Sequence, residues 1–190
     1  MQQYKMMVDE EAIYASSEPK NVTESGVYKV TIKKVKIVPS QLNQAWGIRL
    51  SATTEQGLNL EAGLQVANKD GGFNYERYGV IKPLIGYSLF NAIFAMCGIK
   101  MIKPTEIIID EDESEIVYKD LQGKEICLGI QKEFYYNNKN EEKYKMTIVR
   151  VFDPDTNQSA SEKKNNKEAK EFLEIIKDKP TKERKWDYSL

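Results

Sequence analysis

The chain has 190 residues, of which 41% are hydrophobic and 30% are charged, and its formal net charge is −1. This composition suits one domain with a solvated surface, and the near-neutral charge excludes a strong positive field around the whole molecule. Histidine is absent, which removes the commonest general base, the commonest metal ligand and every catalytic triad that contains it. We therefore predict a protein that is not an enzyme and that uses no cofactor.

The two cysteines, Cys97 and Cys127, lie in apolar stretches and are predicted to be free, buried thiols. Two cysteines are too few for a disulfide framework, so a reducing compartment is expected. The N-terminal stretch has no apolar run of signal-peptide length, and no segment approaches the ~18 apolar residues of a membrane span. The sequence predicts a protein without membrane contact.

The first predicted strand begins at Gly26, after a polar N-terminal arm at residues 1–25. In GVYKVTIKKVKIV, apolar residues occupy every second position, and their parity changes at Lys33-Lys34. A β-bulge moves side chains to the other face in this way and bends the strand. A long first strand that bends at mid-length is what a small barrel needs.

Two further alternating segments, QAWGIRLSATT and GLNLEAGLQVAN, flank the turn TTEQG, in which Gly57 can adopt a positive φ. They are predicted to be strands two and three of a hairpin. The next segment, NKDGGFNYERYG, is rich in Asn, Gly and aromatic residues and is predicted to be a long loop.

One stretch, GYSLFNAIFAMCGIK, has the pattern of a buried helix. Pro83 can start this helix and Gly98 can end it. A short strand and an acidic loop follow. The segments KEICLGIQKEFYYNN and EEKYKMTIVRVFD, joined by the turn NNKN, are then predicted to form a second hairpin.

The composition shifts at Pro154, where DPDTNQSASEKKNNKE has almost nothing to bury. Residues 168–178 have the pattern of a short amphipathic helix, and KWDYSL ends the sequence. The predicted organisation is an arm at residues 1–25, a domain at residues 26–153 and a flexible tail at residues 154–190.

The order of three strands, one helix and two strands predicts an OB-fold, which is a five-stranded Greek-key barrel. Its usual helix lies between the third and fourth strands and closes one end of the barrel, which would explain a single apolar helix in a β chain. A β-sandwich with one incidental helix is the alternative.

Aromatic and basic residues are interleaved at several points. The bases of a single strand stack on aromatic faces, each contributing roughly 1–3 kcal/mol, while cations track the phosphates. The residues predicted to bind nucleic acid in this way are Trp46, Arg49, Phe73, Tyr75, Arg77, Tyr78, Tyr135 and Lys145. The alternative is that strand aromatics fill the barrel. The parity of FYYNN places Phe134 and Tyr136 on one face and Tyr135 on the other, so these three rings cannot all be core.

Two other motifs carry weaker signals. The acidic segment IDEDESE, with carboxylates from Asp110 to Glu115, offers ligands for a hard cation. It lacks the Gly and the spacing of an EF-hand, so a solvated loop is predicted and no metal site. Pro154-Asp155 and Glu168-Ala169-Lys170 formally match the PD…ExK pattern of metal-dependent nucleases. A polar linker separates the two halves of this match, and Glu168 lies in a predicted helix, which argues against a nuclease.

The segments SGVYKVTIKKVKIV, WGIRLSATTEQGLNLEAGL, LFNAIFAMCGIK and YKDLQGKEICLGIQ follow one another over residues 24–152. In this order they resemble the single-stranded DNA-binding proteins of tailed bacteriophages. The resemblance implies an OB-fold, sequence-tolerant binding of single-stranded DNA in phage DNA replication, recombination or repair, and the cytoplasm of the infected bacterial host. A protein–protein interaction module of the same fold, without nucleic-acid binding, is the alternative.

The resemblance also implies that the C-terminal tail recruits replication or recombination proteins. In this sequence the role would fall to Trp186, Asp187 and Tyr188. Tails of this family are usually strongly acidic, whereas residues 153–190 carry 9 acidic and 9 basic side chains. This end is expected to bind either a partner protein or the protein's own DNA groove; the alternative is a disordered end with no role.

Overall fold

The computed structural model describes residues 20–109 and 114–181. In these ranges the chain is mainly β with one main helix. The strands are β1 (Gly26–Pro39), β2 (Trp46–Thr54), β3 (Asn59–Gln65), β4 (Asn74–Arg77), β5 (Val80–Pro83), β6 (Thr105–Ile108), β7 (Ser114–Val117), β8 (Glu125–Tyr136) and β9 (Glu142–Phe152). The helices are α1 (Ile85–Met96) and α2 (Ala160–Lys164), with 3-10 turns at Lys119–Leu121 and Glu171–Leu173.

Five long strands close into a barrel-like sheet. The strands follow one another around this sheet in the order β1, β2, β3, β9, β8, and β8 pairs back onto β1. All of these pairings are antiparallel except the one between β3 and β9, which is parallel. The prediction of a mainly β protein built on five long strands is confirmed at this level.

The bend in β1 explains how one strand reaches both of its neighbours. The register with β2 shifts between Ile32 and Lys34, so the bulge predicted at Lys33-Lys34 is confirmed. Before the bulge β1 pairs with β8 from Gly26 to Thr31, whereas its pairing with β2 runs from Val30 to Pro39. A bulge increases the local twist, which lets a strand leave one neighbour for the other.

The interior of the barrel is filled by the inward residues of the alternating strands. The largest fully buried side chains include Val30, Ile32, Val35, Leu50, Leu60, Ile126, Leu128, Ile130 and Ile148. Both cysteines are free; Cys127 is buried, and Cys97 is half-buried against the core. Burial raises the pKa of the Cys97 thiol to about 11.

Helix α1 packs its Phe90 and Ile93 into the core. Its first turn lies very close to the end of β3, because a Cβ atom on Gly86 would stand 1.6 Å from the backbone oxygen of Gln65. In chain order the helix follows the fifth strand, not the third as predicted. The difference arises because the segment predicted as a loop contains the β4–β5 hairpin.

The β6–β7 hairpin extends the sheet beyond β1 through the pair Lys36 and Val117. The acidic stretch predicted as a loop only partly lies in the described residues, since residues 110–113 are outside them. Glu115 lies within β7 and forms ion pairs with Lys34 and Lys36 of β1. These lysines lower the pKa of Glu115.

The chain after Pro154 is docked on the barrel as far as Thr181, which corrects the prediction of a flexible tail over these residues. Its first anchor is a capping box at α2, in which Ser159 and Glu162 exchange hydrogen bonds between side chain and backbone. The buried Glu162 carboxylate also accepts hydrogen bonds from the backbone N–H groups of Lys170 and Glu171, at 2.7 and 2.9 Å. The helix expected at residues 168–178 is replaced by the 3-10 turn at Glu171–Leu173.

The end of the described chain adds to the edge of β8 beyond Ile130, where the pairing with β1 has ended. The backbone N–H of Lys179 donates to the oxygen of Lys132 at 2.8 Å, and the N–H of Phe134 donates to the oxygen of Lys179 at 3.0 Å. Room for this approach comes from Gly129, where a Cβ atom would stand 2.8 Å from the side chain of Ile176.

The predicted arm at residues 1–25 is described only from residue 20. Val22 is buried in the core and Asn21 bridges to Asn59 at the start of β3, so residues 20–25 belong to the folded unit. Neither helix in residues 20–109 and 114–181 has the length and apolar character that crossing a membrane requires.

Candidate nucleic-acid interface

A row of outward residues crosses four strands of the barrel. Lys36 of β1 pairs with Arg49 of β2, Arg49 pairs with Gly63 of β3, and Gly63 pairs with Thr147 of β9. Paired residues of neighbouring strands lie on the same side of a sheet. Because the neighbours of Arg49 along β2 are buried, the row faces solvent.

Arg49 links two surface grooves. The first has a volume of about 440 Å³ and lies between Trp46 and the loop after β1, with Ser40 and Asn43 in its wall. The second has a volume of about 560 Å³ and crosses β3 and β9; its lining includes Tyr144 and Lys145. Arg49 lines both grooves and is exposed.

The Arg49 guanidinium forms no salt bridge with a carboxylate in the described part of the chain, and the same holds for Arg77 and Lys82. A cation without a carboxylate partner is available to a phosphate. Lys36 is different, because Glu115 holds its ammonium group at 2.6 Å. Arg49 is therefore the available cation at the middle of the row.

Trp46 is half-buried at the start of β2. Its ring meets Phe73 and Phe90 edge to face, at centroid distances of 6.0 and 6.2 Å. Phe90 belongs to the core, so the interpretation of Trp46 as a packing residue is partly right. Trp46 also lines the first groove.

Phe73, Tyr75, Arg77 and Tyr78 lie in and beside a hairpin instead of the predicted loop. Phe73 stands just before β4 and stacks on Tyr87 of α1 at 4.7 Å. Tyr75, Arg77 and Tyr78 project into solvent, and Tyr78 is 90% exposed. The turn between β4 and β5 consists of Tyr78 and Gly79, both with positive φ, as a two-residue hairpin turn requires.

The end of the β8–β9 hairpin holds Tyr135 and Lys145, which are both exposed. Lys145 lies 3.4 Å from the carboxylate of Glu133, which also binds Lys179 at 2.7 Å. Burial alone would raise the pKa of Glu133, but the hydrogen bond from Lys179 and the charge of Lys145 outweigh burial and lower it. The charge of Lys145 is thus already shared with a carboxylate.

The alternation predicted for FYYNN is confirmed. Phe134 pairs with Tyr144 across the strands, with ring centroids 6.3 Å apart, while Tyr135 pairs with Lys143 on the other face. The ammonium group of Lys132 lies 4.7 Å from the Tyr144 ring centroid and 5.3 Å from that of Phe134. On one face of this hairpin, Lys132 therefore lies against the paired rings of Phe134 and Tyr144. The other face carries Tyr135.

The structure brings the predicted residues together in three groups. Trp46, Arg49 and Phe73 lie along the first groove or next to it; Tyr75, Arg77 and Tyr78 lie on the β4–β5 hairpin; Tyr135 and Lys145 lie at the end of the β8–β9 hairpin. The predicted tail residues Trp186, Asp187 and Tyr188 lie outside the described residues. The described chain ends at Thr181, which lines a groove together with Tyr135 and Lys145.

Four further residues lie beside the predicted ones and were not among them: Tyr87, Lys82, Lys36 and Tyr144. Tyr144 stands between two lysines, the same interleaving that marked the other residues, so the sequence carried its signal. Lys36 lies on the outward parity of β1 after the bulge and could have been found in the same way. Lys82 and Tyr87 carry no such signal, because their roles depend on a hairpin that the pattern does not show.

Comparisons with protein-family models and with curated proteins give no match to this chain. Within residues 20–109 and 114–181, no three Cys, Asp or Glu side chains are grouped so as to hold a metal ion.

Proposed function

We propose that this protein is an OB-fold protein that binds single-stranded DNA without sequence preference. The support for the fold is the strand order around the barrel, in which the third strand closes onto the last in parallel. OB-folds bind oligonucleotides on the face of strands two and three and on the loops that flank it. Here that face holds Arg49 and both of its grooves.

The observation that carries this proposal is the position of Arg49. It is an exposed cation without a carboxylate partner among the described residues, and it lies between a groove with Trp46 and a groove with Tyr144. Single-strand binding combines a cation that follows the phosphates with aromatic rings on which bases stack. The arrangement supplies both along one continuous surface.

The cellular role that we propose rests on the resemblance to phage single-stranded DNA-binding proteins. Such a protein coats and protects single strands during phage DNA replication, recombination or repair in the host cytoplasm. Its C-terminal residues Trp186, Asp187 and Tyr188 would recruit replication or recombination proteins.

A protein-interaction module is the second candidate. It is favoured by the net charge of −1 and by exposed apolar side chains, among them Val80, Ile81 and Ile85, which are 52%, 71% and 75% exposed. Apolar side chains grouped at a surface are typical of a site for another protein.

A titration of a fluorescently labelled oligo(dT) distinguishes the two candidates. The wild-type protein should bind, and the affinity should rise as salt is lowered from about 200 mM to about 50 mM, because phosphate contacts release counterions. Arg49→Gln should weaken binding about tenfold and reduce the slope of log K against log salt by about 0.7, the value of one phosphate contact on a single strand.

The matched control is Lys119→Gln, which removes the same charge from an exposed residue in the 3-10 turn after β7. It should leave both the affinity and the slope within twofold of wild type. Absence of binding at low salt would rule out the DNA-binding proposal and leave the interaction module.

A further inference from the structure

The β4–β5 hairpin is a separate element of the surface. It forms a two-stranded sheet of its own, and all eight of its strand residues are exposed. Four residues per strand give it a reach of about 13 Å, at roughly 3.3 Å per residue. A small exposed hairpin of this kind contributes little to a core.

The two faces of the hairpin differ in chemistry. The cross-strand pairs Tyr75 with Lys82 and Arg77 with Val80 share one face, which we call the cationic face. The pairs Asn74 with Pro83 and Glu76 with Ile81 share the other, which we call the opposite face. The cationic face therefore combines an aromatic ring with two positive charges, whereas the only charge of the opposite face is negative.

The tip adds a second ring to the cationic face. The guanidinium of Arg77 lies 5.2 Å from the centroid of the Tyr78 ring, a distance at which the two attract. The left-handed backbone of Tyr78, with φ 53°, holds this ring at the turn. Arg77 thus stands next to the Tyr78 ring and shares its face of the hairpin with Tyr75.

The root of the hairpin is fixed beside the first groove. The backbone N–H of Leu84 donates to the oxygen of Phe73 at 2.8 Å, and this bond closes the base of the hairpin. Phe73 stacks on Tyr87 and meets Trp46 edge to face. Because Trp46 lines the first groove, the root of the hairpin lies next to the Trp46 side of this groove.

We propose that the cationic face of the hairpin is a second single-strand contact, which binds the nucleotides beyond those held in the barrel grooves. The inference rests on the proposed function. Arg77 and Lys82 lack carboxylate partners in the described part of the chain, so both are available to phosphates, and Tyr75 and Tyr78 offer stacking surfaces. A protein partner would favour the opposite face, because Ile81 there is 71% exposed against 52% for Val80 on the cationic face, and Glu76 is negative.

The test compares the two faces on two lengths of DNA. The site size of an OB-fold is roughly 4–16 nucleotides, so oligo(dT) of about 6 nucleotides lies near its lower end and oligo(dT) of about 20 nucleotides exceeds its upper end. Tyr75→Ala removes an exposed ring from the cationic face, and Ile81→Ala removes an exposed apolar side chain from the opposite face of the same hairpin. Both variants should keep the wild-type circular dichroism and melting temperature.

Tyr75→Ala should weaken binding of the long oligonucleotide about tenfold, which corresponds to the loss of one stacked base, and should leave the short one within twofold. Ile81→Ala should leave both within twofold. The inference is overturned if Tyr75→Ala changes neither length, if it weakens both lengths equally, or if only Ile81→Ala has an effect. Failure of the wild-type protein to bind either length would instead refute the proposed function, and the inference with it.

Discussion

The two hairpins that carry the predicted aromatic and basic residues differ in how far those residues are already engaged. At the end of the β8–β9 hairpin, Lys132 lies against two aromatic rings and Lys145 is bound to Glu133. On the β4–β5 hairpin, Arg77 and Lys82 have no carboxylate partner among the described residues. Each hairpin holds a cation against an aromatic ring, since Arg77 lies 5.2 Å from the Tyr78 ring centroid. The difference is therefore in the carboxylates: Glu133 partly neutralises Lys145, and no ion pair of this kind forms at Arg77 or Lys82 in the described residues.

The two hairpins also differ in whether another part of the chain pairs with their strands. The edge of β8 beyond Ile130 is paired with the backbone of Lys179, and Thr181 donates to Glu142 of β9 at 2.8 Å. The edges of β4 and β5 have no such cover in the described residues. The comparison teaches that similar interleaving of rings and cations in the sequence can end in two different surroundings, one paired with the rest of the fold and one exposed.

The largest effect is expected from a change in the first turn of α1, the helix that follows the β4–β5 hairpin and carries Tyr87, on which Phe73 stacks. A Cβ atom at Gly86 would lie 1.6 Å from the backbone oxygen of Gln65, so Gly86→Ala must push α1 away from β3. We expect a loss of about 3 kcal/mol in the free energy of unfolding, measured with urea, because α1 also packs Phe90 and Ile93 into the core. Hydrogen exchange should rise more at β4 and β5 than at β8 and β9.

Gly63→Ala is the control for this change, since its Cβ atom would meet only the oxygen of Ile48, at 3.9 Å. It should alter the free energy of unfolding by no more than about 0.5 kcal/mol. If Gly86→Ala unfolds at the same urea concentration as wild type, the close approach of α1 to β3 is wrong.

The alternation of apolar residues was enough to predict the long strands and the bulge of β1, because inward side chains are set by the barrel itself. It was not enough for the β4–β5 hairpin. The turn there is Tyr78-Gly79, and a tyrosine at positive φ gives no turn signal of the kind that Asn-Gly gives. The strands of this hairpin bury nothing, so they also lack the period that a half-buried strand shows.

The sequence also did not predict that the chain after Pro154 docks on the barrel. Its anchor is the Glu162 carboxylate, which meets backbone N–H groups eight and nine residues further along the chain, at Lys170 and Glu171. Local composition reports only that this segment is polar. A polar segment can still be ordered when its hydrogen bonds are satisfied by one buried acceptor.

The second prediction concerns residues 154–181, whose last part pairs with β8. We expect acid to detach this segment from the barrel. The hydrogen bonds from the backbone N–H groups of Glu171 and Ser159 lower the pKa of Glu162 to about 2. Burial opposes ionisation of Asp153, but the hydrogen bonds from Lys163 and the backbone outweigh it and lower its pKa to about 2 as well. Folded-state pKa values below the usual 4.5 and 3.8 mean that both carboxylates stabilise the fold above about pH 4.5.

This stabilisation should be lost as the pH falls from about 4.5 through about 2. Cleavage by pepsin, which is active in acid, should therefore move into residues 154–181 at the low end of this range while the barrel stays intact. At pH 7, with a neutral protease, Glu162→Gln should be cut there several-fold faster than wild type. Glu168→Gln is the control, because Glu168 is exposed and touches only Lys170 at 3.9 Å. Equal cleavage of the two variants would show that Glu162 does not anchor the segment.

The sequence predicted the residue types of the candidate site better than the ion pairs that those residues form. Trp46, Arg49 and Tyr135 were found from interleaving and strand parity. That Lys145 binds Glu133 depends on the register of β8 with β9, which places the two side by side. Register follows from the turn and from the bulge at Gly129, and a single sequence does not fix either.

The smallest effect is expected from removing the carboxylate that binds Lys145 on the β8–β9 hairpin. Without it, the cation of this hairpin would lack a carboxylate partner, as those of the β4–β5 hairpin do. Glu133→Gln should release the ammonium group of Lys145 for a phosphate. We expect single-stranded DNA to bind about threefold more tightly, and the slope of log K against log salt to steepen by about 0.7. The melting temperature must be followed in parallel, because Glu133 also holds Lys179.

Glu141→Gln is the matched control for this last change. It removes the same charge from the same hairpin, but Glu141 and its partner Lys143 are each more than half exposed, so their ion pair contributes little and Lys143 is already accessible to phosphate. A general effect of net charge would tighten binding equally in both variants. If Glu133 keeps Lys145 from the DNA, Glu133→Gln should raise the affinity and steepen the salt slope more than Glu141→Gln does.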